Sequence, residues 1–460
     1  MSPSSRPDLR QAVLVTGDSV LLLLVLLAAE TLAGDAGVAR SGPFVLRALL
    51  CALVLQAGMF YGELYDYRAL RSRTHFFLRL GQSYAAGAPA LAFFYYLVPS
   101  ARVDPTTLLV GLPLSAAAIL GWHGLHRWAA GREALSDNVL IVGTGHTARQ
   151  VAVEMLRREP LGYHVVGFLG THAAEVGRRL VNPAVVGTVA DLLPIVDSLR
   201  VNVIVVALED QRGQLPIEDL LRCRLAGIRV EDAPSFFERL TGKILVSDLR
   251  PSWLVFSPGF SKPRLLRSVK RVVEVVVSAA LLVAALPLLV ALGLLVRLQS
   301  RGPALYRQSR VGRRGALFTL LKLRTMRQDA ETASGPVWTD PEKDPRVTRL
   351  GRLLRKSRLD ELPQLWNVLK GEMSFVGPRP ERPHFVQTLR LVIPYYDERH
   401  AVRPGITGWA QVKFGYGSTI EDSERKLQFD LYYVKNMSLL LDLAIVLETF
   451  KVMLLGRGAR

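Results

Sequence analysis

A chain of 460 residues that is half hydrophobic yet carries a formal charge of +18 must keep its apolar and basic residues in separate stretches. Its mean hydropathy is positive, which points to membrane segments. It also turns the basic excess toward an anionic membrane surface or phosphate-bearing substrates and leaves nucleic acid out. Only two cysteines occur, Cys51 and Cys223, which excludes a disulfide framework or a thiolate metal site.

Four apolar segments come first, at Gln11–Ala33, Phe44–Leu64, Phe76–Val98 and Thr106–Trp122, each about the 20 residues a helix needs to cross a bilayer. The first is longer than a signal peptide's apolar region and has no clear cleavage site after it, so no cleavable signal is expected. Basic residues orient the segments. Arg6 and Arg10 precede the first, Arg68, Arg71 and Arg73 divide the second from the third, and Arg127 and Arg132 follow the fourth. The alternate loops hold only Arg40 and Arg102. The positive-inside rule therefore places the N-terminus and everything after Arg132 in the cytoplasm.

From Asn138 to about Arg250 the pattern changes to a small α/β domain. A strand, NVLIVG, runs into Gly143-x-Gly145-x-x-Ala148 and then a helical stretch to about Arg158. Further strands are predicted at Val165–Leu169, Val203–Ala207 and Ile228–Val230, an alternation that implies a parallel sheet with crossover helices. The glycines would let backbone approach a phosphate at a helix N-terminus. No acidic residue clearly follows the second strand where a ribose contact is expected. A structural or regulatory domain is the better reading, and no cofactor-binding residue is assigned.

Val272–Val296 is long enough to span a bilayer, but both of its flanks are basic: Arg267, Lys270 and Arg271 before it, and Arg297, Arg301, Arg307 and Arg310 after it. Both ends are then expected on the cytoplasmic face. Pro287 supplies the break that a re-entrant helix requires.

Between Arg297 and Arg382 there are 19 Lys and Arg against 9 Asp and Glu, a surplus suited to phosphates or lipid headgroups. Within it lies Asp360-Glu361, bracketed by Arg358 and Pro363. Ser357, three residues before Asp360, resembles a capping box, so a helix-start role stands beside a chemical one. In the chemical reading, one carboxylate attacks phosphorus while the other holds Mg²⁺ or handles a proton. Leu362, Leu365, Trp366 and Leu369 follow on one helical face, in a core or interfacial helix.

The run SRLDELPQLWNVLKGEMSFVGPRP from Ser357 resembles the signature of the bacterial sugar transferases, the monotopic phosphoglycosyl transferases. SRGPALYRQSRVGRRG from Ser300, KLRTM from Lys322, DPRVTRLGRLLRKS from Asp344, RPGITGWAQV from Arg403 and FDLYYVKNMSLLLDL from Phe429 agree with it. The resemblance implies an undecaprenyl-phosphate glucose or galactose phosphotransferase. Such an enzyme moves hexose-1-phosphate from a UDP-hexose to undecaprenyl phosphate in the bacterial inner membrane, priming exopolysaccharide or O-antigen synthesis.

The same resemblance makes Asp360 the nucleophile and Glu361 its Mg²⁺-binding partner, with both carboxylates at the metal. Lys322, Arg324, Arg358, Arg379, Arg403 and Asp430 become substrate-binding or active-site residues. The implied architecture is a four-helix transmembrane region (1–132), a Rossmann-like domain (133–255), a linker with the re-entrant helix (256–299) and a mostly helical catalytic domain (300–460). The lipid bilayer is a partner, and the sequence leaves a homodimer open. Two rivals are weaker. A nucleotide-sugar dehydratase or epimerase would use a Tyr-x-x-x-Lys pair, and no tyrosine has lysine four residues later. A non-enzymatic scaffold would leave the Asp-Glu pair without purpose.

Overall fold

The structure, a computed structural model, describes residues 6–33, 42–61, 64–65, 73–130, 137–157, 163–208, 215–246, 249, 251–300, 302–327, 346–414, 417 and 419–454. Arg40, Arg68, Arg71, Arg132 and Arg301, used above for orientation, lie outside these residues. The chain forms two compact units, Met1–Ala233 and Pro234–Arg460.

The first unit opens with helices α1 (Arg6–Ala33), α2 (Gly42–Tyr61), α3 (Arg73–Leu97) and α4 (Pro105–Ala130). Leu22, Leu26, Phe44, Leu55, Phe76 and Ile119 form their shared core. Polar pairs fix the register inside it: Asp18 Oδ2 lies 2.9 Å from His123 Nε2 with both side chains buried, and Ser19 donates to Gln56 at 2.9 Å. Buried pairs of this kind hold membrane helices together, because an unpaired polar group in hydrocarbon is costly. Among the described residues, segments of α1, α2 and α4 are long and apolar enough to cross a membrane. The third expected segment is helical over Arg73–Leu97 but falls outside that set, because Arg79, Gln82 and Ser83 dilute it.

A five-stranded parallel sheet follows in the order β3-β2-β1-β4-β5. Its strands are β1 (Asp137–Val142), β2 (Tyr163–Gly170), β3 (Val185–Thr188), β4 (Val203–Val206) and β5 (Arg229–Asp232). Helices α5 (His146–Arg157), α6 (Leu192–Ser198) and α7 (Ile217–Leu225) connect them. The sequence reading found four of the five strands and missed β3, whose four residues are too few to show alternation. Gly143, at the end of β1, has φ +124°, and a Cβ there would meet the Ala207 carbonyl at 2.6 Å. Glu175 accepts from the Thr171 N–H at 3.0 Å and from Thr144 beside that glycine at 3.3 Å.

The second unit begins with α8 (Ala233–Thr241) and α9 (Pro251–Phe256) and continues into α10 (Arg264–Gln299), the fourth helix able to cross a membrane. It thus takes in residues 234–255, which the sequence groups with the sheet domain. Pro287, expected to break this segment, lies inside α10, which is helical on both sides of it over 36 residues. Proline removes one intrahelical hydrogen bond, and the remaining ladder carries the helix through. A hairpin of β6 (Leu305–Val311) and β7 (Leu317–Leu323) precedes α11 (Arg349–Lys356), α12 (Gln364–Lys370) and β8 (Ser374–Val376). Next come α13 (Pro383–Val392), β9 (Gly405–Thr407), α14 (Trp409–Lys413), α15 (Ile420–Asn436) and α16 (Leu439–Leu454). β9 pairs in parallel with β8.

Two features seat the start of α10. Arg271 donates to the Val368 and Leu369 carbonyls at 2.6 and 2.7 Å, satisfying the open C-terminus of α12 with a cation. Lys270 Nζ meets Asp442 at 2.5 Å, Tyr433 at 3.1 Å and Glu274 at 3.3 Å, and Glu274 accepts from Ser374. At the far end, Leu292 and Val296 pack on Leu323 and Leu354.

Candidate active site

Asp360 and Glu361 lie in a 3₁₀ turn, Leu359–Glu361, between α11 and α12. The capping-box reading of Ser357 is not borne out. Ser357 is the C-cap of α11 and donates back to the Leu353 carbonyl at 2.8 Å, while Thr348 caps the N-terminus of α11 by accepting from Gly351 N–H. The turn is set by Arg358 at φ 58°, a left-handed conformation that costs a non-glycine residue about 1–2 kcal/mol. Past the turn, α12 buries Leu365 and Val368 together with the polar Gln364 and Asn367, and leaves Trp366 exposed. Asn367 is buried because it pays its hydrogen bonds to the hairpin, accepting from Leu321 N–H at 3.1 Å and donating to the Thr319 carbonyl at 2.7 Å.

Both carboxylates are buried. Glu361 Oε1 accepts from Lys322 Nζ, next to the last residue of β7, at 2.9 Å and from Arg379 Nη2 at 3.0 Å, with Arg358 Nη1 at 3.8 Å. Burial alone would raise its pKa, but the Lys322, Arg379 and Arg358 charges overcome that and hold it far below the usual carboxylate range. Asp360 differs. Burial pushes it above the ordinary range, Glu361 adds to the rise, and Lys322, Arg355 and Arg379 pull against it. Asp360 Oδ1 is buried with no hydrogen-bond partner.

Arg379 is carried by a loop locked from two sides. Arg399 Nη2 donates to the Arg379 carbonyl at 3.0 Å, and Arg310 Nη1 donates to the Pro380 carbonyl at 2.8 Å. Val311 N–H adds a bond to the Glu381 carbonyl at 3.0 Å. The loop starts at Gly377, where a Cβ would meet the Arg403 carbonyl at 2.3 Å, so only glycine lets the two segments approach.

The structure therefore brings together Asp360, Glu361, Lys322, Arg358 and Arg379. It sets three other predicted residues elsewhere. Arg324 donates to the Ser300 carbonyl at 2.7 Å and the Ser300 hydroxyl at 2.9 Å, at the C-terminus of α10. Arg403 stands near Arg313 and Arg271, where it helps burial lower both guanidinium pKa values. Asp430 is buried behind the Arg379 loop and paired with Arg399 at 2.8 Å. Sequence reasoning missed Arg399 and the Lys270–Asp442 pair, and had Arg310 only as one of the basic residues after the apolar run. Arg399 stands four residues before Arg403, in a stretch whose signal was charge alone. One carboxylate kept ionised by three cations, beside another with an uncommitted oxygen, suits the chemistry of anionic phosphoryl groups.

Comparison with known proteins agrees. Residues 265–456 match the family described as bacterial sugar transferase. The UDP-glucose:undecaprenyl-phosphate glucose-1-phosphate transferase of Caulobacter vibrioides is 45% identical over 210 residues, 44% of this chain and 77% of that protein. The UDP-N-acetylgalactosamine-undecaprenyl-phosphate N-acetylgalactosaminephosphotransferase of Aeromonas hydrophila is 41% identical over 242 residues, 52% of this chain and 56% of that protein. The undecaprenyl-phosphate glucose phosphotransferase of Komagataeibacter xylinus is 33% identical over 340 residues, 71% of this chain and 60% of that protein. The chain belongs to the bacterial sugar transferase family. Its matches span 56% and 60% of the Aeromonas and Komagataeibacter relatives.

Proposed function

We propose that this protein transfers hexose-1-phosphate from a UDP-hexose to undecaprenyl phosphate, the priming step of exopolysaccharide or O-antigen synthesis. The observation that carries the reading is the buried, unpartnered Oδ1 of Asp360 next to a carboxylate neutralised by Lys322, Arg358 and Arg379. The printed activities of the relatives supply the substrate class.

An Asp360 carboxylate oxygen attacks the sugar-bearing phosphorus, and the bond to the bridging oxygen breaks as UMP leaves with its electron pair. The product is an aspartyl phospho-sugar. An oxygen of undecaprenyl phosphate then attacks the same phosphorus and expels the Asp360 carboxylate, giving undecaprenyl-diphosphate-hexose. Lys322, Arg358 and Arg379 offset the charge that gathers on the phosphoryl oxygens, the largest contribution expected of such a site. Asp360 and Glu361 also fit magnesium, which takes one or two carboxylates and completes its shell with substrate phosphates and water. The free Asp360 oxygen is the observation favouring it. Bound there, the ion would supply further neutralisation of phosphoryl charge.

Two architectural readings accompany this. The strand order and the Gly143 turn support a Rossmann-like domain, with Glu175 set against the glycine turn and no bound nucleotide required. A re-entrant α10 is supported by the seating of both its ends, at Lys270–Glu274 and at Leu292–Ser300, within the one unit. A straight helix of that length would extend about 54 Å. Re-entrance keeps Asp360 on the cytoplasmic face of the inner membrane, where UDP-sugars are.

The test is incubation of the purified full chain with undecaprenyl phosphate and a panel of UDP-sugars, scored for UMP. Magnesium-dependent UMP release with at least one sugar, abolished by Asp360→Asn, is expected. No release with any sugar, or release that survives Asp360→Asn, would overturn the reading.

A further inference from the structure

Arg399 is 5% exposed, and each of its three guanidinium nitrogens has a partner. Nε and Nη2 both go to Asp430 Oδ2, at 3.1 and 2.8 Å. Nη1 donates to Tyr396 Oη at 2.7 Å. Nη2 is shared with the backbone carbonyl of Arg379 at 3.0 Å. From that same residue the side chain runs outward, and Arg379 Nη2 reaches Glu361 Oε1 at 3.0 Å.

A planar guanidinium offers its donors in a fixed fork. With one edge fixed by Asp430 and another corner by Tyr396, the remaining direction is determined. The Arg379 peptide is held at a defined place relative to α15, which carries Asp430. Arg310 secures the next carbonyl from the hairpin side, so the loop is pinned at two consecutive peptides by cations from different elements. Holding a loop this way preserves the geometry of a side chain that must meet developing charge.

We propose that Arg399 is a positioning residue for the transfer reaction: gripped by Asp430 and Tyr396, it fixes the Arg379 backbone so that the Arg379 guanidinium is pre-aimed at Glu361. The inference rests on the proposed reaction for its consequence on rate, but the geometric claim stands apart from it. Asp430, predicted from the sequence as an active-site residue, then acts through Arg399 and never touches substrate.

The experiment must separate positioning from bulk stability, because Arg399→Met alone leaves Asp430 as a buried unpaired charge, which is strongly destabilising. The pair Arg399→Met/Asp430→Asn removes both charges at similar volume and is expected to melt close to the unmodified protein. Two readouts follow. Hydrogen exchange over residues 377–382 should quicken in the double variant, and this readout needs no assumption about the reaction. UMP release should fall about 100-fold in kcat with KM for the UDP-sugar little changed, the scale expected when a reacting group is misplaced by about an ångström. Adding Arg379→Ala to the double variant should then cost much less than it does in the unmodified protein, because the two act in series. Unchanged exchange over 377–382 would overturn the proposal whatever the reaction is. Full activity in a stably folded double variant, or an additive effect of Arg379→Ala, would overturn it as well. Quickened exchange with no UMP release by the unmodified protein would retain the geometry and remove the proposed function instead.

Discussion

Lys322 Nζ donates to Glu361 Oε1 at 2.9 Å, and the same ammonium is the largest charge pulling down on Asp360. One lysine on β7 therefore governs two adjacent carboxylates. It is part of the reason Glu361 lies far below the normal carboxylate range, and it limits how far burial raises Asp360. The two carboxylates shift in opposite directions, and Glu361 is the one that bonds directly to Lys322 and Arg379.

Lys322→Met should therefore raise the pKa of Asp360 further. If ionised Asp360 is the nucleophile, the acidic limb of the pH profile of kcat/KM moves to higher pH, and activity at neutral pH falls about 100-fold. Lys322→Arg keeps the charge and should restore most of the profile. A limb that stays in place in Lys322→Met would remove Asp360 ionisation as its origin.

Glu361→Gln tests the other half of the split. The folded-state pKa of Glu361 is depressed, so its ionisation contributes stability that is fully present above the ordinary glutamate pKa of about 4.5. That contribution declines as pH falls below this value toward the folded pKa. The variant should melt lower than the unmodified protein at pH 7, with the gap narrowing as pH drops below about 4.5. Thermal melts at a series of pH values decide it. A gap that widens on acidification would contradict the assigned direction.

The legible parts of this protein were those written locally. Apolar runs of helix length gave α1, α2 and α4, and NVLIVG before a glycine pair gave β1 and its turn. Asp360, Glu361, Lys322 and Arg379 were found because their motifs resemble a family signature and their charges are dense. What escaped is held by partners far apart in sequence. Arg399 finds Asp430 31 residues away, and Lys270 finds Asp442 172 residues away. No periodicity encodes such pairs, and they exist only once α10, α15 and α16 have packed. Ser357 misled for a related reason: Ser-x-x-Asp suits a helix start, but Arg358 in the left-handed region makes that serine the end of one helix.

Arg324 separates local chemistry from packing. Its guanidinium is buried on the Ser300 carbonyl and hydroxyl at the C-terminus of α10, so Arg324→Ala leaves that helix end without its cation. Loss of such a cap and its hydrogen bonds is expected to destabilise by about 1–3 kcal/mol. The melting temperature should drop while KM for the UDP-sugar stays near normal. A raised KM with unchanged melting would instead make Arg324 a substrate ligand, as its motif implied.

The topology of α10 decides whether Asp360 can meet a cytosolic donor. Lys270 and Arg271 tie one end of the helix to α16 and α12, while Arg324 and Leu323 hold the other. Basic residues flank both ends, which disfavours carrying either across the membrane. In a background lacking Cys51 and Cys223, single cysteines at Arg267 and Gln299 should both be labelled only from the cytoplasmic side by a membrane-impermeant reagent. Pro287 is the one residue inside α10 whose backbone cannot complete the helical ladder. Pro287→Leu should stiffen the helix and let a fraction of molecules label at Gln299 from outside, with UMP release falling by the same fraction because their Asp360 faces away from the donor. Labelling of Gln299→Cys from the periplasm in the otherwise unmodified background would defeat the re-entrant arrangement and, with it, any mechanism that draws its UDP-sugar from the cytosol.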